Sequence, residues 1–127
     1  MARILIIEDD APLRGVLAEA LQLAGYEVFQ AEDGRQGVEV FQLAPADLVI
    51  TDLVMPGQEG IETITKLLHD RPGLPIIAIS GSVEHSGLYL EVARKLGATR
   101  TLAKPFGTKT LLGAVEAALA ARPPSAP

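Results

Sequence analysis

Five short apolar runs alternate with five stretches of helical periodicity along this chain of 127 residues. The runs lie at residues 4–7, 27–31, 48–51, 75–79 and 99–103. Several of them are apolar at consecutive positions, which is typical of strands buried on both faces of a parallel sheet. Strict alternation of strands with helices predicts an α/β fold with right-handed crossovers, although pattern alone leaves the strand order open.

Turn and capping residues mark the ends of the predicted helices. Pro12 lies where the first helix would begin, and Gly25 suits the position just past its end. Asp33 can cap the second helix. We predict one domain over residues 1–121, followed by a flexible tail at residues 122–127 whose prolines cannot continue the last helix.

Composition argues against several kinds of function. The formal net charge is −5 and no run is rich in lysine and arginine, which argues against direct binding to nucleic acid or to an anionic membrane. The chain has no cysteine, which excludes disulfides, thiol catalysis and cysteine-ligated zinc. The first apolar run is too short for a signal peptide or a membrane span, and we expect a cytoplasmic protein.

Polar residues follow four of the five apolar runs, at the point where each strand should end. In a parallel sheet the carboxyl ends of all strands share one edge, and ligands bind there where the strand order reverses. This edge would therefore gather three carboxylates, one hydroxyl and one ammonium, contributed by Glu8, Asp9, Asp52, Ser80 and Lys104.

These residue types together favour the chemistry of a phosphoryl group. Three carboxylates repel one another unless a cation lies among them or some of them take up protons. Oxygen ligands favour a hard cation such as Mg²⁺, which also binds phosphate oxygens. Lys104 and Ser80 could contact further phosphoryl oxygens, and Asp52 could be the nucleophile that forms an aspartyl phosphate.

Each residue also has a simpler explanation when it is taken alone. Asp52 could cap the next turn or helix, and Glu8, Asp9 and Asp10 could cap the first helix, which is the role we favour for Asp10. A single serine is more often a turn residue, and a single lysine is more often a solvated charge. The joint arrangement, in the right order on the right strands, argues against coincidence.

With these motifs the sequence resembles the receiver domain of bacterial two-component response regulators, in particular the stand-alone, chemotaxis-regulator-like type. The matching segments are residues 4–10, 51–57, 79–81 and 97–106, and the resemblance extends from residue 3 to about residue 121. It implies a doubly wound, flavodoxin-like (βα)5 fold with a five-stranded parallel sheet in the order 2-1-3-4-5.

The resemblance also implies a role for each site residue. Asp52 would be the phosphoacceptor and a ligand of Mg²⁺. Asp9 would bind the ion directly, Glu8 largely through water, and Val54 through its backbone carbonyl.

On the other side of the site, Ser80 would be the switch hydroxyl that moves toward the phosphoryl group. Lys104 would pair with a phosphoryl oxygen, and the bond between Lys104 and Pro105 is expected to be cis, as in the family.

The implied function is phosphoacceptance in a two-component phosphorelay. A sensor histidine kinase or phosphotransfer protein would supply the phosphoryl group, and a downstream protein would bind one of the two states. A homodimer through the fourth helix, the fifth strand and the fifth helix is possible in this family. Such a domain assists its own phosphorylation and hydrolysis, but it is not primarily an enzyme. We expect no effector domain in the chain, so output would pass through a partner.

Two positions depart from the family pattern. Thr101 stands where a tyrosine or phenylalanine is usual, and its small side chain cannot fill the same pocket. The usual coupling between Ser80 and the surface of the fourth helix is therefore in doubt. Val54 cannot hydrogen-bond an attacking water, so hydrolysis would depend more on Ser82 or be slow.

Four other functions compete with this interpretation. An aspartyl-phosphate phosphatase would need a general acid near Asp52 and a substrate cap, but Leu53 and Val54 follow Asp52. A flavin-binding module would need glycines and hydroxyls after the first strand, where Glu8 and Asp9 would repel a phosphate. A degenerate receiver used only for docking and a receiver fragment of a longer transcriptional regulator remain as alternatives.

Overall fold

A computed structural model of the protein describes residues 1–53, 59–81 and 86–121, apart from the side chains of residues 59, 86–90 and 121. Within these residues strands and helices alternate strictly. The strands are β1 (Arg3–Ile7), β2 (Glu27–Ala31), β3 (Leu48–Asp52), β4 (Ile76–Ser80) and β5 (Arg100–Ala103). The helices are α1 (Ala11–Leu23), α2 (Gly34–Leu43), α3 (Glu59–Asp70), α4 (Ser86–Leu96) and α5 (Thr108–Ala121).

The strands form one parallel sheet in the order β2-β1-β3-β4-β5. This confirms the predicted α/β class and the strand order implied by the family resemblance. From β1 the chain passes to β2 on one side, and it then returns to β3 on the other side of β1. The order therefore reverses between β1 and β3, which is where a ligand site is expected in such sheets.

Apolar residues cover both faces of the sheet. Alternate strand residues pack into two cores, one under α2, α3 and α4 and the other under α1 and α5. All residues of β3 and β4 are buried, so their apolar runs are continuous rather than alternating. Each fully buried isoleucine or leucine contributes about 1.5–3 kcal/mol to the free energy of unfolding.

The helices carry more apolar residues than the sheet covers. Val16, which belongs to the apolar stripe of α1, is 60% exposed, and Leu96 of α4 is 39% exposed. Ala93 of α4, by contrast, is fully buried and belongs to the core under α2, α3 and α4. Among the described residues, no helix is long and apolar enough to cross a membrane.

The residues predicted to cap the first two helices lie at the ends of those helices. The carboxylate of Asp10 accepts a hydrogen bond from the Leu13 amide at 3.2 Å, which confirms Asp10 as the cap of α1. Asp33 caps α2 in the same way, through the Gln36 amide at 2.8 Å. Gly25 follows α1 with a φ of 99°, a left-handed conformation that favours glycine.

Candidate functional site

The register of the sheet brings the predicted carboxylates to one edge. Ile7 of β1 pairs with Thr51 of β3, so the next residues along the two strands, Glu8 and Asp52, lie side by side. Asp9 continues from β1 into the loop before α1. Oxygens of Glu8, Asp9 and Asp52 all lie within 4.8 Å of one another.

The three carboxylates differ in their access to solvent. Glu8 is 1% exposed and Asp52 is 3% exposed, whereas Asp9 is an exposed residue. Burying carboxylates without compensation is costly, so a cluster of this kind needs a positive partner. Asp9 places the third carboxylate at the mouth of the site, where a cation from solvent can reach it.

Lys104, which follows the edge strand β5, supplies a positive partner for the carboxylates. Its ammonium donates hydrogen bonds to Glu8 Oε1 and to Asp52 Oδ2, each at 2.8 Å. The lysine follows β5 directly, and its backbone amide donates to the carbonyl oxygen of Ser80 at 2.8 Å. The peptide bond between Lys104 and Pro105 is cis, as the family resemblance implies.

Two pKa shifts follow from this arrangement. Burial raises the pKa of the Glu8 carboxyl to about 7; the hydrogen bond from Lys104 opposes this rise, and the neighbouring Asp52 adds to it. Burial on its own would lower the pKa of the Lys104 ammonium, but its hydrogen bonds to Asp52 and Glu8 raise that pKa above the ordinary value. Lys104 therefore stays charged at neutral pH, while Glu8 is poised to exchange a proton.

Ser80 ends β4 beside this cluster. Its side chain is fully buried, and its hydroxyl has no hydrogen-bond partner in the described part of the chain. An unpaired buried polar group costs about 1–3 kcal/mol. A ligand oxygen at the site could remove this cost by accepting a hydrogen bond from the hydroxyl.

The donor set fits a magnesium ion. Glu8, Asp9 and Asp52 offer only carboxylate oxygens, and Lys104 neutralises one of their charges. Hard oxygen ligands with residual negative charge suit Mg²⁺, which typically binds one or two carboxylates and keeps several waters. Val54, predicted as a backbone ligand, lies outside the described residues, as does Ser82.

Two glycines and one arginine near the site were not predicted to matter. A Cβ on Gly81 would come within 2.9 Å of Lys104 Cδ, so glycine leaves room for the lysine stem. A Cβ on Gly60 would lie 2.5 Å from the backbone oxygen of Asp52, so α3 begins against the end of β3. Arg14 donates a hydrogen bond from Nη1 to the carbonyl oxygen of Glu8 at 2.7 Å.

Only the arginine left a signal in the sequence. Arg14 places a positive charge in the first turn of α1, where it opposes the helix dipole. A requirement for helix formation therefore does not explain an arginine at this position. The two glycine contacts depend on how the elements pack, and no local pattern predicts them.

Thr101 lies half-buried in β5, on the side toward α4. The guanidinium of Arg94 in α4 donates to its hydroxyl oxygen at 3.4 Å. A polar bridge between α4 and β5 thus stands where the family usually has an aromatic side chain.

Known proteins resemble this chain over nearly its whole length. The family model described as "Response regulator receiver domain" matches residues 4–116. The transcriptional regulatory protein PdtaR of Mycobacterium tuberculosis is 38% identical over 118 residues, which cover 92% of this chain and 56% of PdtaR. The phosphate regulon regulator PhoB of Pseudomonas aeruginosa is 34% identical over 118 residues, 91% of this chain and 51% of PhoB. The chain thus spans about half the length of these curated relatives.

Solved structures agree with the fold. The chemotaxis response regulator CheY4 of Vibrio cholerae superimposes with a TM-score of 0.85 at 32% identity, covering 93% of this chain and 98% of CheY4. The response regulator TrrA of Thermotoga maritima, solved in complex with Mg²⁺-BeF, has a TM-score of 0.81 at 29% identity, covering 93% of this chain and 99% of TrrA.

Proposed function

Because the chain belongs to the response regulator receiver domain family, we propose that it accepts a phosphoryl group on Asp52. The donor is a sensor histidine kinase or a phosphotransfer protein, and phosphorylation changes the affinity of the domain for a downstream protein. A homodimer through α4, β5 and α5 is one form that this output can take.

The observation that carries this proposal is the position of Lys104. Its ammonium lies 2.8 Å from Asp52 Oδ2, so it is already in contact with the carboxylate that would carry the phosphoryl group. A phosphoryl group on Asp52 adds negative oxygens within reach of this ammonium. Ser80 lies beside it with a buried hydroxyl that can donate to another phosphoryl oxygen.

Glu8, Asp9 and Asp52 would hold Mg²⁺, and the family resemblance adds the carbonyl of Val54. The ion supplies positive charge that offsets the charge of the phosphoryl oxygens. Glu8 must give up its proton to serve as a ligand, directly or through water. Its raised pKa therefore makes ion binding weaker in acid and stronger above about pH 7.

The transfer itself needs little covalent chemistry from the protein. A carboxylate oxygen of Asp52 forms a bond to phosphorus while the bond from phosphorus to the donor's histidine nitrogen breaks. The electron pair of that bond returns to the imidazole, which leaves with the donor. Lys104, held protonated by its raised pKa, neutralises charge on the phosphoryl oxygens throughout.

The test is the intact mass of the full chain after incubation with Mg²⁺ and acetyl phosphate. We expect one phosphoryl adduct in the wild type and none in Asp52→Asn, because the amide is not a nucleophile. Asp70→Asn, which removes an exposed carboxylate at the end of α3, is the control and should label like the wild type. Labelling of Asp52→Asn at the wild-type rate would contradict the assignment. An unlabelled wild type that still binds Mg²⁺ would favour a receiver used only for docking.

A second candidate is that the domain is the receiver portion of a longer transcriptional regulator. The curated relatives PdtaR and PhoB are about twice as long as the part that this chain matches. The mass of the protein expressed from its own gene distinguishes the two, because a longer regulator would exceed 13.4 kDa.

A further inference from the structure

We infer that Arg14 is a positioning residue for Mg²⁺ binding, and that it acts by fixing the peptide between Glu8 and Asp9. This inference rests on the proposed function, because it concerns the ion site assigned there. Arg14 is half-buried in the first turns of α1, and its Nη1 donates to the carbonyl oxygen of Glu8 at 2.7 Å.

The geometry of a peptide explains why this one contact matters. A trans peptide is planar, so its plane contains the Cα atoms of both Glu8 and Asp9, from which the two carboxylates project. Holding the carbonyl oxygen of Glu8 therefore fixes this plane, and with it the positions of the two Cα atoms from which the side chains project. The preceding peptide is held as well, because the amide of Glu8 donates a hydrogen bond to the carbonyl oxygen of Ala31 in β2 at 3.0 Å.

A third contact completes the arrangement. The amide of Asp10 donates to Glu8 Oε2 at 3.3 Å, and Asp10 in turn caps α1. The loop from β1 to α1 is therefore tied to both elements before any ion arrives. Groups that orient metal ligands in this way lower the cost of organising them on binding.

Helix formation alone does not account for an arginine at this position. Arg14 is the fourth residue of α1, where a positive charge opposes the helix dipole. Helical side chains lean toward the N-terminus, and this lean directs the guanidinium back over the loop that carries Glu8.

The sign of one measurement separates positioning from simple charge. If Arg14 acted only as a nearby positive charge, its removal would tighten the binding of a divalent cation to the carboxylates. If it orients Glu8 and Asp9, its removal weakens binding, even though a repulsive charge has been lost.

The experiment is calorimetric titration of the full chain with MgCl₂. Arg14→Met keeps the apolar stem and removes every donor, and we expect it to weaken the affinity for Mg²⁺ about tenfold, the lower end of the range for groups that orient metal ligands. Arg14→Lys keeps a charged N–H donor at nearly the same reach, and we expect an affinity close to that of the wild type. Arg35→Met is the matched control, because Arg35 lies exposed in the first turn of α2 on the other face of the sheet.

Each outcome is decisive. Binding by Arg14→Met that equals or exceeds the wild type overturns the inference, as does an equal loss in Arg14→Lys. If Arg14→Met does not fold, as judged by urea unfolding without Mg²⁺, Arg14→Ala takes its place. It also removes every donor, so weaker binding is again expected, and wild-type or tighter binding overturns the inference. Asp9→Ala separates the two levels: if that variant binds Mg²⁺ like the wild type, the proposed ion site itself is wrong.

Discussion

Folding disfavours the ionised form of the Glu8 carboxyl group. It is almost fully buried, and burial, opposed by Lys104 and reinforced by Asp52, raises its pKa from 4.5 to about 7. In the unfolded chain the same carboxyl ionises near its ordinary pKa. The folded state therefore binds more protons than the unfolded state between these two values.

This difference predicts how stability changes with pH in the absence of Mg²⁺. Where the folded state binds more protons, the free energy of unfolding falls as the pH rises. The contribution of Glu8 should thus fall from about pH 4.5 to about pH 7 and stay constant above that range. Glu8→Gln cannot ionise and should lack this fall.

Urea unfolding of the wild type and of Glu8→Gln, in EDTA at several pH values, measures the effect. The difference between the two proteins should change by a few kcal/mol at most, because one pKa unit corresponds to about 1.4 kcal/mol. Glu19→Gln, which removes an exposed carboxylate of α1, should follow the wild type. A constant difference across this range would show that folding does not raise the pKa of the Glu8 carboxyl.

The site also depends on how closely α3 approaches the end of β3. Gly60 makes this approach possible, because a Cβ there would lie 2.5 Å from the carbonyl oxygen of Asp52 and 2.6 Å from Leu53 Cα. Both neighbours are backbone atoms, so neither can rotate away. Any side chain at position 60 must move α3 or the strand end that carries Asp52.

Gly60→Ala should therefore be destabilising although alanine is the better helix former. We expect the free energy of unfolding to fall by about 1–3 kcal/mol, the usual cost of overpacking. Gly113→Ala is the matched control, because a Cβ at position 113 of α5 meets nothing within 4 Å. That variant should gain up to about 1 kcal/mol. Urea denaturation compares the two, and equal effects would refute the close contact.

Part of this arrangement of strands and helices could be predicted from the sequence. Strands buried on both faces leave consecutive apolar residues, so the runs at Ile4 and Ile76 predicted β1 and β4 to within a residue or two. The polar residues that end or follow four of the five strands could also be read directly from the sequence. The exposure of Val16 could not be predicted, because the burial of an apolar helical residue depends on where the neighbouring helices lie. The bridge from Lys104 to both Glu8 and Asp52 likewise depends on distances across three strands.

The site joins segments that are far apart in the chain. Lys104 lies 96 residues from Glu8 and 52 residues from Asp52 in sequence, yet contacts both. The three carboxylates gather only when β1 and β3 are paired. An ion bound by all of them therefore binds the folded chain and not the unfolded one, and it must stabilise the whole domain.

We accordingly expect Mg²⁺ to raise the melting temperature. An ion concentration about ten times the dissociation constant adds about 1.4 kcal/mol to the free energy of unfolding, which corresponds to a rise of several degrees for a domain of this size.

The chain cut after Ala121 should show the same melting temperature and the same rise, if residues 122–127 are a tail outside the folded domain. Asp9→Ala should melt without any rise, since it removes the carboxylate at the mouth of the site. Differential scanning calorimetry of the three proteins with and without Mg²⁺ tests both points. A smaller rise in the shortened chain would place the tail in contact with the site, and an undiminished rise in Asp9→Ala would place the ion elsewhere.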